Sequence, residues 1–193
     1  VHRLSMIPGV TVVAISDLYE KRVQAQVNWL KKRGKPAPRR YFGNENEWKK
    51  LCESDLDLVY IASPWQLHAP MGKYAMECGK HAAIEVPSAM TLEECYMLVE
   101  TSERTKRHCM QLENCCYGDV ELMTLNLARK GLLGEIVHAE GAYIHDLRDL
   151  IYRDPSKGGY QGYWRYKWNR DHNANIYATH GLVPLMQAMN INR

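Results

Sequence analysis

The sequence predicts an α/β fold, a doubly wound parallel sheet, and two observations carry that prediction. Apolar, β-branched runs of strand length alternate along the chain with helical patterns, the order that a parallel sheet with crossover helices produces. The runs also end in polar residues (Asp17, Ser63, Glu85 and Glu113). In an open parallel sheet, the carboxyl ends of the strands border the ligand crevice.

Taken in order, Val10 to Ser16 reads as a strand that ends at Asp17. An acid at that place either accepts hydrogen bonds from a nucleotide ribose or caps the helix that follows. That helix is predicted over 18–32, followed by a proline- and cation-bearing loop, a short strand or turn at 41–43 and a short helix at 46–52. Leu58 to Ala62 has the length and branching of a buried strand. Ser63-Pro64 stops it, since proline has no N–H to give a ladder. Trp65 and His68 follow, then a helical pattern to Cys78, closed by Gly79. His81 to Ile84 is the next strand and delivers Glu85, and Pro87 breaks the run. Thr91 and Glu94 form a capping-box variant before a helix to about 106. His108 to Leu112 is a further strand, ending in Glu113-Asn114. An amphipathic helix is predicted over 119–130 and a longer alternating strand over 136–145. The aromatic, basic stretch 146–175 shows little periodicity, and such a stretch is usually functional or mobile. A last helix over 178–189 starts with Thr179-His180-Gly181.

Composition narrows the class. With 193 residues, 46% apolar and 24% charged, the chain suits one domain or one and a fraction of a globular protein. A net charge of +3, with short basic clusters, gives no footing for nucleic acid, and no run of eighteen apolar residues exists to span a membrane. Cys52, Cys78, Cys95 and Cys109 read as small buried residues; Cys115 and Cys116 are adjacent, and no C-x-x-C pair suggests a zinc or redox centre. Metal ligands are not expected. Both ends read as interrupted elements.

Several motifs together resemble a known family. Strand-Asp17, S-P-x-x-x-H from Ser63 to His68, A-M-x-x-G-K from Ala75 to Lys80 and E-x-P from Glu85 to Pro87 resemble the glucose–fructose oxidoreductase and inositol dehydrogenase superfamily. More narrowly, S-P-W-x-x-H, E-V-x-x-A-x-T-L-E-E-C, E-N-x-C-Y, R-K-G-x-x-G-E, H-D-L-R and T-H-G-x-x-P-x-x-x-x-x-N-I-N-R resemble glycoside hydrolase family 109, the NAD-dependent α-N-acetylgalactosaminidases. The resemblance implies a Rossmann-like doubly wound sheet that lacks its first strand and glycine-rich turn, followed by the start of an α+β substrate domain. It places a partial NAD-binding domain at 1–116 and a truncated catalytic domain at 117–193. It also implies that the glycine-rich turn precedes Val1 and that a large antiparallel sheet follows Arg193, so the chain by itself binds NAD poorly.

The chemistry that the resemblance implies is an oxidation–elimination cycle. NAD oxidises the sugar 3-hydroxyl, the acidified C2 proton leaves, the C1 group is expelled, water adds and the ketone is reduced again. Tyr143 and His180 are the implied catalytic residues; alone, His180 reads equally as a capping or packed histidine and Tyr143 as a core tyrosine. Asp17, Ser63, Trp65, His68, Glu85 and Asn114 are the implied cofactor-side residues, with Trp65 stacking and His68 hydrogen-bonding. Glu113 belongs to the same rim, or to an ordinary solvated turn. Arg148, Trp164, Tyr166 and Trp168 suit sugar or anion contact as well as loop anchoring. The parent dehydrogenases carry a lysine between the glutamate and the proline; here Val86 stands there and exchanges no proton, which turns the expectation from net oxidation to glycoside cleavage. A sugar or inositol dehydrogenase and a non-catalytic nucleotide-binding relative are the competing readings. A small glycoside is the expected partner, with self-association through the second-domain sheet; export by the twin-arginine route and a cytoplasmic home both stay open.

Overall fold

The computed structural model describes residues 1–175 and 177–191. The last two positions of the T-H-G motif, Asn192 and Arg193, lie outside the described residues. In chain order the first part is β1 (Ala14–Ser16), α1 (Glu20–Lys31), β2 (Arg39–Tyr41), α2 (Glu47–Glu53), β3 (Leu58–Ile61), α3 (His68–Glu77), β4 (His81–Glu85), α4 (Leu92–Thr105) and β5 (Cys109–Leu112). The second part is α5 (Asp119–Arg129), α6 (Arg148–Ile151), α7 (Trp164–Asp171) and α8 (Thr179–Met189). Short 3-10 turns precede α3 at Trp65–Leu67 and α5 at Asn114–Tyr117.

These residues form two compact units. The first holds 1–61, 70–83 and 96–109; the second holds 62–69, 84–95 and 110–193. In the first, β1 and β2 pair in parallel, with Ile15 opposite Arg40, and a core of Ile15, Val23 and Leu30 forms under α1. The strand expected over 10–16 keeps only its last three residues, because β2 offers a partner of the same length. β3, β4 and β5 lie side by side in that order, and α3 and α4 supply the crossovers that parallel neighbours require. The alternating strand–helix order thus builds parallel sheets with helices, as expected, although among the described residues the strands fall into two sheets.

β4 is buried through Ala82, Ala83 and Ile84, which explains its uninterrupted apolar run. β3, expected to be buried on both faces, instead alternates: Val59 and Ile61 face in, while Leu58 and Tyr60 are exposed. α3 starts two residues earlier than its proline suggested and ends before Gly79, whose φ of +78° suits a residue without a Cβ. At the head of α4 the Glu94 N–H donates to Thr91 Oγ1 at 3.2 Å. The Glu94 carboxylate accepts from the Met90 N–H at 2.7 Å, one residue before the capping-box partner.

In the second unit, α8 packs on α5 and on the 3-10 turn 114–117. The strand expected over 136–145 does not form among the described residues, and Val137 is 85% and Ile144 95% exposed. Alternation fixes which side chains share a face; it does not supply a neighbouring strand, and none of the described strands lies alongside. The stretch 146–175, expected to be irregular, carries α6 and α7. Of the four cysteines expected inside, Cys52 is buried and Cys95 is exposed on α4. No helix among the described residues is long and apolar enough to cross a membrane.

Candidate functional site

His180 sits in the first turn of α8 and is buried. Its Nδ1 is 2.5 Å from Oε1 of Glu113, also buried, at the residue that caps the turn after β5. The same Oε1 accepts the Cys115 N–H at 3.0 Å, whereas Oε2 is buried with no partner. A carboxylate at Nδ1 takes the N–H of the neutral ring, which leaves Nε2 with the lone pair that accepts a proton. Expected at a solvated rim, Glu113 is therefore an interior group that orients a histidine.

Two tyrosines flank this ring. The Tyr143 ring centroid lies 4.5 Å from that of His180, and Tyr177 meets the imidazole edge-on at 4.5 Å. Tyr143 comes from the segment 136–145, which crosses α8 at Gly141 and Gly181. A Cβ on Gly141 would run into the Gly181 carbonyl, and one on Gly181 would lie 3.1 Å from the Ala142 nitrogen. Gly141 accepts no side chain at this separation, whereas one at Gly181 fits only if its neighbours give by a few tenths of an ångström. The Tyr143 hydroxyl shares a 2.9 Å hydrogen bond with His145 Nδ1.

Beside the tyrosines lies an aromatic box. Trp65, buried, stacks on Tyr177 at 5.1 Å with 18° between the planes and meets Trp164 edge-on at 5.4 Å. The Arg165 guanidinium covers Trp65 at 4.6 Å and Tyr177 at 5.0 Å, and donates to the Tyr160 hydroxyl at 2.8 Å. Arg165 is 9% exposed, and its Nε has no partner. Trp65, Tyr143, His145, Arg165, Asn169 and Tyr177 line an open cavity of about 290 Å³. Burial pushes the Tyr177 phenol up to about 12; the nearby Arg165 charge opposes this, and Tyr143, Glu113 and Glu85 reinforce it. Tyr177 therefore stays protonated.

The remaining expected residues are placed as follows. Ser63 follows β3, its Oγ buried without a partner, which fits a polar group of a nucleotide at the strand ends. Glu85 ends β4, half-buried, and Val86 after it is buried. His68 is 1% exposed; Nδ1 faces the Pro87 carbonyl at 2.7 Å and Nε2 the Ser63 carbonyl at 2.8 Å. The ring thus bridges two strand-end turns, a single ring N–H donating to one of the two carbonyls. Asn114 is exposed and reaches only Cys115 Sγ, at 3.8 Å. In the first unit, half-buried Asp17 caps the turn into α1 through the Tyr19 N–H at 2.9 Å and lies 3.7 Å from Arg22.

Of the unassigned loop residues, Trp164 anchors the box, Trp168 stacks on His172 at 3.9 Å, and Arg148 pairs with Asp146 at 2.7 Å on the surface. Sequence reasoning passed over Arg165 and Tyr177. The available signals were a cation inside W-R-Y-K-W and a tyrosine three residues before His180, one helical turn away.

Two family models match the chain. Residues 3–112 match the model described as oxidoreductase family, NAD-binding Rossmann fold. Residues 117–193 match the C-terminal domain of glycosyl hydrolase 109. A glycosyl hydrolase family 109 protein of Porphyromonas gingivalis is 53% identical over all of this chain and 40% of its own length. An α-N-acetylgalactosaminidase of Bacteroides fragilis is 49% identical over 99% of this chain and 45% of its own. The chain thus spans less than half the length of these curated relatives. Among solved structures, scyllo-inositol dehydrogenase from Lactobacillus casei superposes with a TM-score of 0.57 at 19% identity, over 69% of this chain and 38% of that one. Aldose-aldose oxidoreductase from Caulobacter crescentus gives 0.55 at 22%, over 76% and 44%. Those likenesses concern fold. The chain belongs to the oxidoreductase family with the NAD-binding Rossmann fold, and its residues 117–193 are similar to the C-terminal domain of glycosyl hydrolase 109.

Proposed function

We propose that the protein removes terminal α-linked N-acetylgalactosamine by an NAD-dependent route: oxidation at C3, elimination, water addition and re-reduction. The observation that carries this reading is the proton-handling group of the second unit, His180 held at Nδ1 by buried Glu113 with the Tyr143 ring at 4.5 Å. NAD, when bound, accepts a hydride from the sugar and returns it, so the cycle is redox-neutral. In this reading residues 1–116 form the nucleotide part and 117–193 open the catalytic part.

The chain's own residues divide the remaining work. His180 Nε2 and the Tyr143 hydroxyl move the C2 proton and the proton of the departing C1 oxygen. Glu113 fixes the imidazole tautomer, and Tyr177, kept protonated by burial, donates a hydrogen bond at the sugar. Asp17, Ser63, Trp65, Glu85 and Asn114 face the cofactor, and His68 supports it by holding the turns that carry Ser63 and Pro87. Val86 offers no proton at the place where a dehydrogenase needs one. Self-association through the second-domain part belongs to the same reading.

The test incubates two proteins with p-nitrophenyl α-N-acetylgalactosaminide in D2O without added NAD. One is the protein itself; the other is the B. fragilis relative with its matched segment replaced by this chain. Nitrophenol release with deuterium at C2 of the sugar is the expected result. No release from either, with NADH accumulating when NAD and free sugars or inositols are supplied, would return the protein to the dehydrogenases.

A further inference from the structure

We propose that Glu113, Cys115 and His180 form a binding site for a divalent cation of the zinc class. One ligand atom from each, a carboxylate oxygen, the thiol sulfur and an imidazole nitrogen, lie within 4.8 Å of one another. A tetrahedral ion with bonds of about 2.0–2.3 Å spaces its donors about 3.3–3.8 Å apart, so small rotations of the side chains close the set. Sulfur with imidazole and one carboxylate selects zinc, cobalt or nickel over magnesium and calcium, which take oxygen donors.

A second observation points the same way. Glu113 Oε2 is buried and has no hydrogen-bond partner, although Oε1 is shared by His180 and the Cys115 N–H. An unpartnered carboxylate oxygen in the interior carries a free-energy cost that a cation removes and that a second neutral acceptor does not. The backbone already presents the group: Cys115 is the residue whose N–H Glu113 caps, so carboxylate and thiol are held on one turn. With three protein ligands the fourth position is open, the arrangement of a site that exchanges ligands. On binding, the Cys115 thiol gives its proton to solvent, and His180 gives up the proton it shares with Glu113 wherever Nδ1 is the ligating atom.

No ligand spacing in the sequence announces this set, because His180 comes from α8 and the other two from the turn after β5. Cation binding does not rest on the glycosidase reading. Inhibition does: an ion that holds His180 removes it from proton transfer.

The experiment titrates the metal-free protein with Co2+. The expected result is a single equivalent bound, with a near-ultraviolet thiolate-to-cobalt charge-transfer band that Zn2+ abolishes by displacement. Cys115→Ser is expected to remove the band and weaken Zn2+ binding by about 100-fold or more, since even outer-shell partners are worth about 10- to 100-fold. Cys95→Ser, on an exposed thiol, leaves both unchanged. Glu113→Gln provides a second variant, keeping the band and weakening Zn2+ binding. Absence of the band in the parent protein overturns the proposal, as does its survival in Cys115→Ser or full Zn2+ affinity in Glu113→Gln.

Discussion

The carboxylate of Glu113 and the Nδ1 atom of His180 lie 2.5 Å apart in the interior, although 67 positions separate them in the chain. A carboxylate so placed sets both the tautomer and the rotation of the ring. Glu113→Gln keeps shape and an acceptor oxygen but not the charge that favours an N–H at Nδ1. Turnover on the aryl glycoside is expected to fall about 100-fold, the low end for general acid–base catalysis, with KM little changed. A variant with full kcat, or with only KM altered, would count against the orienting role.

Tyr177 links the site to alkaline stability. An ordinary tyrosine titrates near 10, and burial holds this one at about 12. The folded state therefore keeps a proton that the unfolded chain loses first. Its contribution is complete below pH 10 and is lost as pH rises toward 12. Tyr74, whose hydroxyl donates to Glu53 at 2.6 Å, is also raised to about 12 and titrates in the same window. Denaturant unfolding across this range should show a slope that is shallower, not absent, in Tyr177→Phe. An identical slope would show that the phenol is not desolvated.

His68→Ala tests the clamp between the turns. Removing the ring leaves the Ser63 and Pro87 carbonyls facing an empty space. An unsatisfied buried acceptor costs about 1–3 kcal/mol, and the vacated volume adds to it, so a loss of about 3 kcal/mol is expected in thermal or urea denaturation. A change under about 1 kcal/mol would mean that water replaces the imidazole without penalty.

Asp17 separates capping from cofactor binding. Asp17→Ala loses the hydrogen bond from the Tyr19 N–H in the turn before α1, worth about 1 kcal/mol, while its surface contact with Arg22 adds little. Asp17→Asn keeps an acceptor for the cap. If the carboxylate also receives ribose hydroxyls, NAD affinity measured by calorimetry falls about tenfold in Asp17→Ala and less in Asp17→Asn. Unchanged affinity in both would leave Asp17 as a helix cap only.

The local parts of the fold were legible in sequence, and the non-local parts were not. Gly79, Pro87 and the Thr91–Glu94 pair bound their elements within a residue or two, because the stopping and capping residues act on their immediate neighbours. Alternation over 136–145 predicted a strand that does not form among the described residues, because alternation cannot tell whether a neighbouring strand is there to pair with. His180 and Tyr143 were singled out through resemblance, and the structure places their rings side by side. Arg165 and Tyr177 escaped because an aromatic box assembled from α7, the turn at Trp65 and the start of α8 has no spacing rule. Glu113 was seen at a strand end, but its burial depends on α8 arriving from the far end of the chain.

The crossing at Gly141 and Gly181 has a consequence for how this pocket changes over generations. The approach of Tyr143 to His180 is gauged by main chain resting on main chain, with no side chain serving as a shim. Under the proposed function, an exposed wall residue such as Asn169 is therefore open to exchange while Tyr143 and His180 keep their span. A methyl at Gly141 has the opposite effect: it lifts the segment off α8, and a displacement of about 1 Å at reacting groups costs about 100-fold in rate. Under the proposed function, the span of the proton-handling pair is thereby set by main chain and not by the side chains that line the cavity.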